Sequence, residues 1–168
     1  MKIFLLGFMG TGKTYWGRLW AKQGHLHFFD LDTEIERYTG LTIPQIFERH
    51  SEAYFREQER KRLYSFEKED GFILSTGGGT PCFYDNMQWM NANGLTIYLD
   101  TPPAVLKERL LKEKMHRPLI KQLDEQAIED FIQNNLQKRE TYYKQAHIIL
   151  STESISDITF EEIKRKYV

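Results

Sequence analysis

Short apolar runs alternate along the chain with longer segments that have helical periodicity. The runs at residues 2–6, 27–29, 72–75, 95–99 and 147–150 have the length and apolar character of strands. Predicted helices separate them, at residues 13–23, 33–38, 51–69, 84–93, 101–114, 124–145 and 157–166, with a further helix starting at Thr42. Strands that alternate with helical connections form a parallel sheet with helices on both faces. The pattern therefore predicts an α/β fold with a five-stranded parallel sheet.

Length and composition agree with one folded domain over residues 1–168. The 168 residues are 40% hydrophobic and 28% charged, a globular profile. Lys and Arg number 23 against 24 Asp and Glu, so the net charge of −1 does not favour binding of nucleic acid or of an anionic membrane by bulk charge. Cys82 is the only cysteine, which excludes an intramolecular disulfide and a cysteine-based zinc site.

The start of the chain carries no pattern of a membrane span or a signal peptide. The apolar run at residues 3–9 is interrupted by Gly7 and is too short to cross a bilayer. We therefore expect a cytoplasmic protein, monomeric, with neither a membrane nor a nucleic acid as partner.

A glycine-rich motif joins the first predicted strand to the first helix. Residues 7–14 fit G-x-x-x-x-G-K-S/T at every fixed position. In such a loop the backbone N–H groups surround phosphate oxygens, the lysine reaches the β- and γ-phosphates, and the hydroxyl binds Mg²⁺. The motif thus predicts binding of nucleotide phosphates with Mg²⁺ as a cofactor, and the resemblance described below implies that the nucleotide is ATP. The predicted ATP-binding residues here are Gly10, Thr11, Gly12, Lys13, Thr14 and Tyr15, with Thr14 also a metal ligand.

Two carboxylates, Asp30 and Asp32, follow the second predicted strand. In an extended chain they point to opposite sides, so they need not share one role. Asp30 is then a candidate metal ligand, and Asp32 is a candidate acceptor for a substrate hydroxyl and its proton. The alternative is that the pair only caps the helix expected at Thr33.

Further motifs follow the phosphate loop, and their order distinguishes one protein family more specifically than the loop does. After the loop and Asp30-Leu31-Asp32 come Phe55-Arg56-x-x-Glu59, Gly77-Gly78-Gly79, Arg117-Pro118-Leu119, and Arg139 followed by Tyr142 and Ala146. Over nearly its whole length the chain resembles the shikimate kinase family, which uses ATP to phosphorylate the 3-hydroxyl of shikimate. The resemblance implies a three-layer P-loop NTPase fold with a mobile lid at about residues 111–122.

Roles for individual residues also follow from the resemblance. It implies that Asp32 binds the shikimate hydroxyls, that Asp30 lies near the magnesium, and that Arg56 and Arg139 hold the substrate carboxylate. A planar guanidinium suits that task because it pairs with both carboxylate oxygens.

Two glycines and two arginines complete the implied site. Gly78 and Gly79 match backbone that approaches the substrate ring, where a side chain would occupy the ligand's space. Arg117 matches the lid arginine, which on closure stabilises charge on the transferred phosphoryl group. Arg109 matches the arginine that stacks on adenine. The implied catalytic residues are Lys13, Asp32 and Arg117.

Two other functions remain open on these motifs. One is another small P-loop kinase, acting on gluconate or a nucleoside monophosphate, because the loop is shared across the superfamily. The other is a non-catalytic nucleotide-binding module with the same fold. The Asp-x-Asp and Phe-Arg-x-x-Glu motifs favour shikimate, and the intact Lys13, Thr14 and Arg117 favour catalysis.

Overall fold

A parallel sheet forms the centre of the computed structural model, which describes residues 1–116 and 119–167. The strand order is β2-β3-β1-β4-β5, and every adjacent pair is parallel, as predicted. The strands are β1 (Lys2–Leu6), β2 (His27–Asp30), β3 (Phe72–Ser75), β4 (Leu95–Asp100) and β5 (Ile148–Ser151). The loops that follow β1, β2 and β3 meet at one edge, the place where open α/β sheets bind ligands.

Helices cover both faces of this sheet. They are α1 (Lys13–Gly24), α2 (Leu31–Thr39), α3 (Ile43–Arg49), α4 (Glu52–Tyr64), α5 (Asn86–Asn93), α6 (Pro103–Glu113), α7 (Glu125–Tyr143) and α8 (Thr159–Tyr167). Short 3-10 turns occupy Ser65–Lys68, Thr80–Cys82 and Lys114–His116. Across the described ranges, no helix combines the length and the apolar character needed to cross a membrane.

Alternate side chains of β1 enter two different cores. Phe4 and Leu6 face the layer that contains α2, α4 and α5, whereas Ile3 and Leu5 face α1 and α8. Each of these four side chains is fully buried, and burial of one such side chain contributes about 1.5–3 kcal/mol. The apolar run of β1 therefore anchors both outer layers of the fold.

A third apolar cluster lies beneath the phosphate loop. Phe8, within the loop, is fully buried against α6 and α7. The cluster also contains Leu106, Leu110, Ile120, Ile128 and Ile132. Because one loop side chain packs on both helices, the arginines carried by α6 and α7 are held close to the phosphate loop.

A buried ion pair fixes α2 against α4. The carboxylate of Glu34 is 5% exposed and contacts the guanidinium of Arg62 on α4, and Arg37 binds its other oxygen at 2.7 Å. The two helices carry Asp32 and Arg56, so this contact helps to set the distance between two predicted site residues.

Some predicted boundaries are wrong. The helix expected at residues 33–38 begins at Leu31, because Asp30 caps it, and the segment predicted at 51–69 ends as an α-helix at Tyr64. Thr101 does not cap α6; Pro102 occupies the cap position, while buried Thr101 accepts a hydrogen bond from Thr152 Oγ1 at 2.9 Å. Within the predicted lid, residues 111–113 still belong to α6, and Arg117 and Pro118 lie outside the described residues.

Candidate active site

The phosphate loop takes a conformation that requires glycine. Gly7, Gly10 and Gly12 have φ values of 143°, 83° and 89°, a region that residues with a Cβ rarely adopt. Lys13 starts α1, and its ammonium donates to the carbonyl oxygens of Gly7 at 2.7 Å and Phe8 at 2.9 Å. The ammonium group is thus held against the phosphate loop, where we expect it to bind phosphate together with the loop backbone.

Asp30 caps α2 and also contacts Thr14, the other predicted metal ligand. One carboxylate oxygen accepts the backbone N–H of Thr33 at 3.4 Å and so caps α2. The other accepts the Thr14 hydroxyl at 3.2 Å. Two neighbouring oxygen ligands fit Mg²⁺, which binds through one or two protein oxygens and completes its shell with phosphates and water.

Asp32 lies in the first turn of α2 and not in an extended segment. The prediction that the two aspartates point to opposite sides is therefore wrong: both line one cavity, because the chain turns into a helix between them. Although the Asp32 side chain is accessible to solvent, the surrounding cavity walls partly desolvate it and raise its pKa to about 6, and the negative charges of Asp30 and Glu59 add to the shift. The Lys13 ammonium acts in the opposite direction.

The cavity beside the phosphate loop has a volume of about 540 Å³. Its walls include the loop, both aspartates, and residues 75–78 after β3. Arg109 and Glu113 of α6 close its other side, and the Arg109 guanidinium donates to the Gly10 carbonyl at 2.9 Å. This volume is in the range of small-molecule sites, and its lining suits a nucleotide.

A second cavity, of about 330 Å³, adjoins the first. Its charged residues are Arg56, Arg139, Glu59 and Asp32, and Gly77–79 form one wall. Apolar side chains complete it: Met9, Ile43, Phe47, Phe55 and Leu119. Both cavities are lined by Met9, Asp32, Gly77 and Gly78. Asp32 is therefore placed between the cavity beside the phosphate loop and the cavity that contains the two arginines.

Arg56 is oriented by contacts on several sides. Its guanidinium binds Glu59 at 2.8 Å and Glu52 at 3.4 Å, and lies over the ring of Phe83 at 3.9 Å. Glu59 is fully buried and also accepts the hydroxyl of Thr80 at 2.6 Å. Sequence reasoning quoted Glu59 only as part of a motif and missed Phe83, since nothing along the chain places that ring over an arginine of α4.

The glycine triplet leaves room for the two arginines. A Cβ on Gly79 would lie 2.7 Å from Arg56 Nη2, and one on Gly78 would lie 3.1 Å from Arg139 Nη1. We expected a side chain at Gly78 or Gly79 to occupy the space of the substrate. The structure adds a second reason for glycine, because such a side chain would first displace the two guanidinium groups. The guanidinium carbon of Arg139 lies over the ring of Phe8, 5.5 Å from its centroid, within the range of a cation–π contact.

The remaining predicted residues are distributed as follows. Tyr15 is 66% exposed, lines the cavity, and packs its ring edge-on against Trp16. Trp16 packs against the phosphate loop, since its Cδ1 lies 3.3 Å from the position that a Cβ on Gly12 would take. Tyr142, the tyrosine of the motif that begins at Arg139, is half-buried, whereas the next residue, Tyr143, is fully buried. Arg117 lies outside the described residues.

The sequence of this chain is similar to those of known proteins. The family profile described as shikimate kinase matches residues 9–167. The shikimate kinase of Phocaeicola vulgatus is 43% identical over 156 residues, which cover 93% of this chain and 89% of the relative.

Solved structures give the same relationship. The structure of shikimate kinase from Bacteroides thetaiotaomicron superimposes with a TM-score of 0.90 at 38% identity, covering 98% of this chain and 95% of that one. Shikimate kinase from Acinetobacter baumannii, solved in complex with shikimate, gives a TM-score of 0.85 at 33% identity, covering 99% and 95%.

Proposed function

The chain belongs to the shikimate kinase family, and from that premise we propose how its own residues transfer the γ-phosphate of ATP to the 3-hydroxyl of shikimate. The observation that carries the proposal is the pair of adjoining cavities that share Asp32. One is built for phosphates and the other for an anionic polyol. Transfer between two ligands requires such a junction, because the acceptor oxygen must lie in line with the phosphorus atom.

ATP occupies the larger cavity. The glycine loop and the N-terminus of α1 bind the phosphates, and Lys13 neutralises their charge. Thr14 and Asp30 hold Mg²⁺, which when bound would offset the negative charge on the phosphate oxygens. Arg109 lines the same cavity, where we propose that it contacts the adenine.

Shikimate occupies the smaller cavity. Arg56 and Arg139 bind its carboxylate, and Asp32 binds its hydroxyls at the opposite end. Gly78 and Gly79 form the wall against which the ring lies. The contacts of Arg56 to Glu59 and Phe83 fix its guanidinium before the ligand arrives, which reduces the entropy lost on binding.

Transfer itself is mainly a matter of position and charge. With a pKa of about 6, Asp32 is mostly ionised at neutral pH, so it orients the 3-hydroxyl and accepts its proton as the new oxygen–phosphorus bond forms; the bond from the γ-phosphorus to the β–γ bridging oxygen breaks, and ADP leaves. Arg117 is assigned the role that the resemblance implies, the stabilisation of charge on the transferred group when the lid at about residues 111–122 closes and excludes water.

We further propose a monomeric enzyme of the cytoplasm that has no nucleic-acid or membrane partner. The near-zero net charge and the lone cysteine support this assignment. Light scattering after gel filtration tests the oligomeric state, and a mass of twice 20.0 kDa would contradict a monomer.

The experiment that tests the function is an ADP-release assay with purified protein, ATP and Mg²⁺. Shikimate, gluconate and nucleoside monophosphates are supplied separately as acceptors. We expect ADP release that depends on shikimate, gives shikimate 3-phosphate by mass spectrometry, and is abolished by EDTA and restored by Mg²⁺. Release that depends on another acceptor, or on none, would contradict the proposal.

A further inference from the structure

Tyr143 is a buried hydroxyl group next to the substrate cavity. The residue lies in the last turn of α7 and is 0% exposed. Its hydroxyl donates to the carbonyl oxygen of Gly78 at 2.5 Å, across 65 residues of sequence. Burial raises the pKa of Tyr143, so the phenol stays protonated and remains a donor.

The bond to Gly78 fixes the direction of the next peptide group. A trans peptide is planar, and its C=O and N–H point in opposite directions; the described part of the chain contains no cis peptide bond. Gly78 and Gly79 line the smaller cavity, whereas Tyr143 packs in the core against Tyr98, with ring centroids 4.9 Å apart. A carbonyl held towards the core therefore turns the Gly79 N–H away from it, towards the cavity.

The same tyrosine links this loop to the helix that carries Arg139. Residues 139 and 143 are four apart on α7 and so lie on one face of the helix. A Cβ on Gly78 would lie 3.1 Å from Arg139 Nη1 and 3.7 Å from the Tyr143 hydroxyl, so both side chains meet the loop at one glycine. The position of the loop and the position of the arginine thus depend on one another.

We propose that Tyr143 is a positioning residue for shikimate binding: its hydroxyl holds the Gly78–Gly79 peptide so that the Gly79 N–H faces the acceptor substrate and the loop stays in register with Arg139. The inference rests on the proposed function and deepens it. Tyr143 acts through the loop and does not line the cavity. Removing the hydroxyl leaves a carbonyl without its donor, and the peptide relieves that cost by rotating, which withdraws the N–H from the cavity.

The test compares Tyr143→Phe with Tyr98→Phe. Both changes keep the contact between the two rings and remove one hydroxyl, but the Tyr98 hydroxyl donates to Asp100 at 3.1 Å and not to the loop. KM for shikimate and for ATP, and kcat, are measured by ADP release at about 10 °C, and shikimate binding is measured by calorimetry at the same temperature. Circular dichroism establishes that each variant is folded.

For Tyr143→Phe we expect KM for shikimate to rise about 3- to 10-fold, the effect of one hydrogen bond, while KM for ATP stays within about twofold. Tyr98→Phe should leave both KM values within about twofold. An unchanged KM for shikimate in Tyr143→Phe, or an equal rise for both substrates, overturns the inference. So does a Tyr143→Phe protein that is unfolded at this temperature, because the hydroxyl would then be a requirement of folding. Failure of the proposed function appears instead in the wild type, as an absence of shikimate-dependent ADP release.

Discussion

Replacement of Asp32 by Asn should make the protein more stable and nearly inactive. The native pKa of about 6 lies above the ordinary value of 3.8, so folding opposes ionisation of this carboxyl group. At pH 7 the full shift corresponds to about 3 kcal/mol. Water enters the cavity and screens the charge, and Asn also loses the favourable interaction of a first-turn acid with the helix dipole. A net gain of about 1 kcal/mol remains.

The size of this stability gain depends on pH, whereas its sign does not change. Above pH 6 the wild type carries an ionised Asp32 whose charge is disfavoured in the folded state, so the stability advantage of Asp32→Asn is fully present. The advantage decreases as the pH falls from 6 towards 3.8, because the native carboxyl takes up a proton before the unfolded one does. Below that range both states are neutral and the advantage disappears.

Two measurements test the prediction. Thermal unfolding at pH 7 should show a midpoint about 2–4 °C above the wild type, as expected for about 1 kcal/mol in a chain of this size. Turnover in the ADP-release assay should fall at least about 100-fold, as for other positioned acid–base groups. Asp157→Asn, at an exposed position outside both cavities, is the matched control. A variant that is less stable at pH 7, or that turns over like the wild type, would refute the reasoning.

Three further predictions concern the pH profile and the substrate cavity. Below pH 6, kcat/KM for shikimate should fall about tenfold per pH unit as Asp32 is protonated, and a profile that is flat between pH 5 and 7 would contradict this. Arg139→Lys should weaken shikimate binding about tenfold in calorimetry while ATP affinity stays within about twofold, because an ammonium cannot form both bonds of the fork; equal losses would indicate a folding defect. Gly79→Ala places a methyl group 2.7 Å from Arg56 Nη2, so KM for shikimate should rise about tenfold in steady-state kinetics, and an unchanged KM would show that the guanidinium adapts.

Features carried by contiguous residues could be predicted from the sequence. The strand at residues 72–75 and the phosphate loop were predicted at their observed positions, because each depends on a local pattern of apolar residues or glycines. The five-stranded parallel sheet followed from the alternation of strands and helices and is confirmed, whereas the order of its strands came from the structure. The helix of Asp32 was placed two residues late, since its cap is the side chain of Asp30.

The candidate site required more than local pattern. On sequence alone Arg56 and Arg139 are charged residues of polar helices, and only the family resemblance distinguished them. The structure brings them to one cavity because α4 and α7 pack around the glycine loop that follows β3. The roles of Glu59 and Phe83 in orienting Arg56 depend on the same packing.

The sequence by itself determined the loop for phosphates and the two oxygen ligands that suit a divalent cation, whereas the assignment of two arginines to a carboxylate came from the family resemblance. Only the tertiary structure decided the geometry in which that chemistry operates. It placed both aspartates in one cavity, made Asp32 part of the lining of two adjoining cavities, and set Tyr143 against Gly78. The physical reason is that a hydrogen bond or a pKa shift depends on distance and burial, and distances between residues far apart in the chain are set by packing.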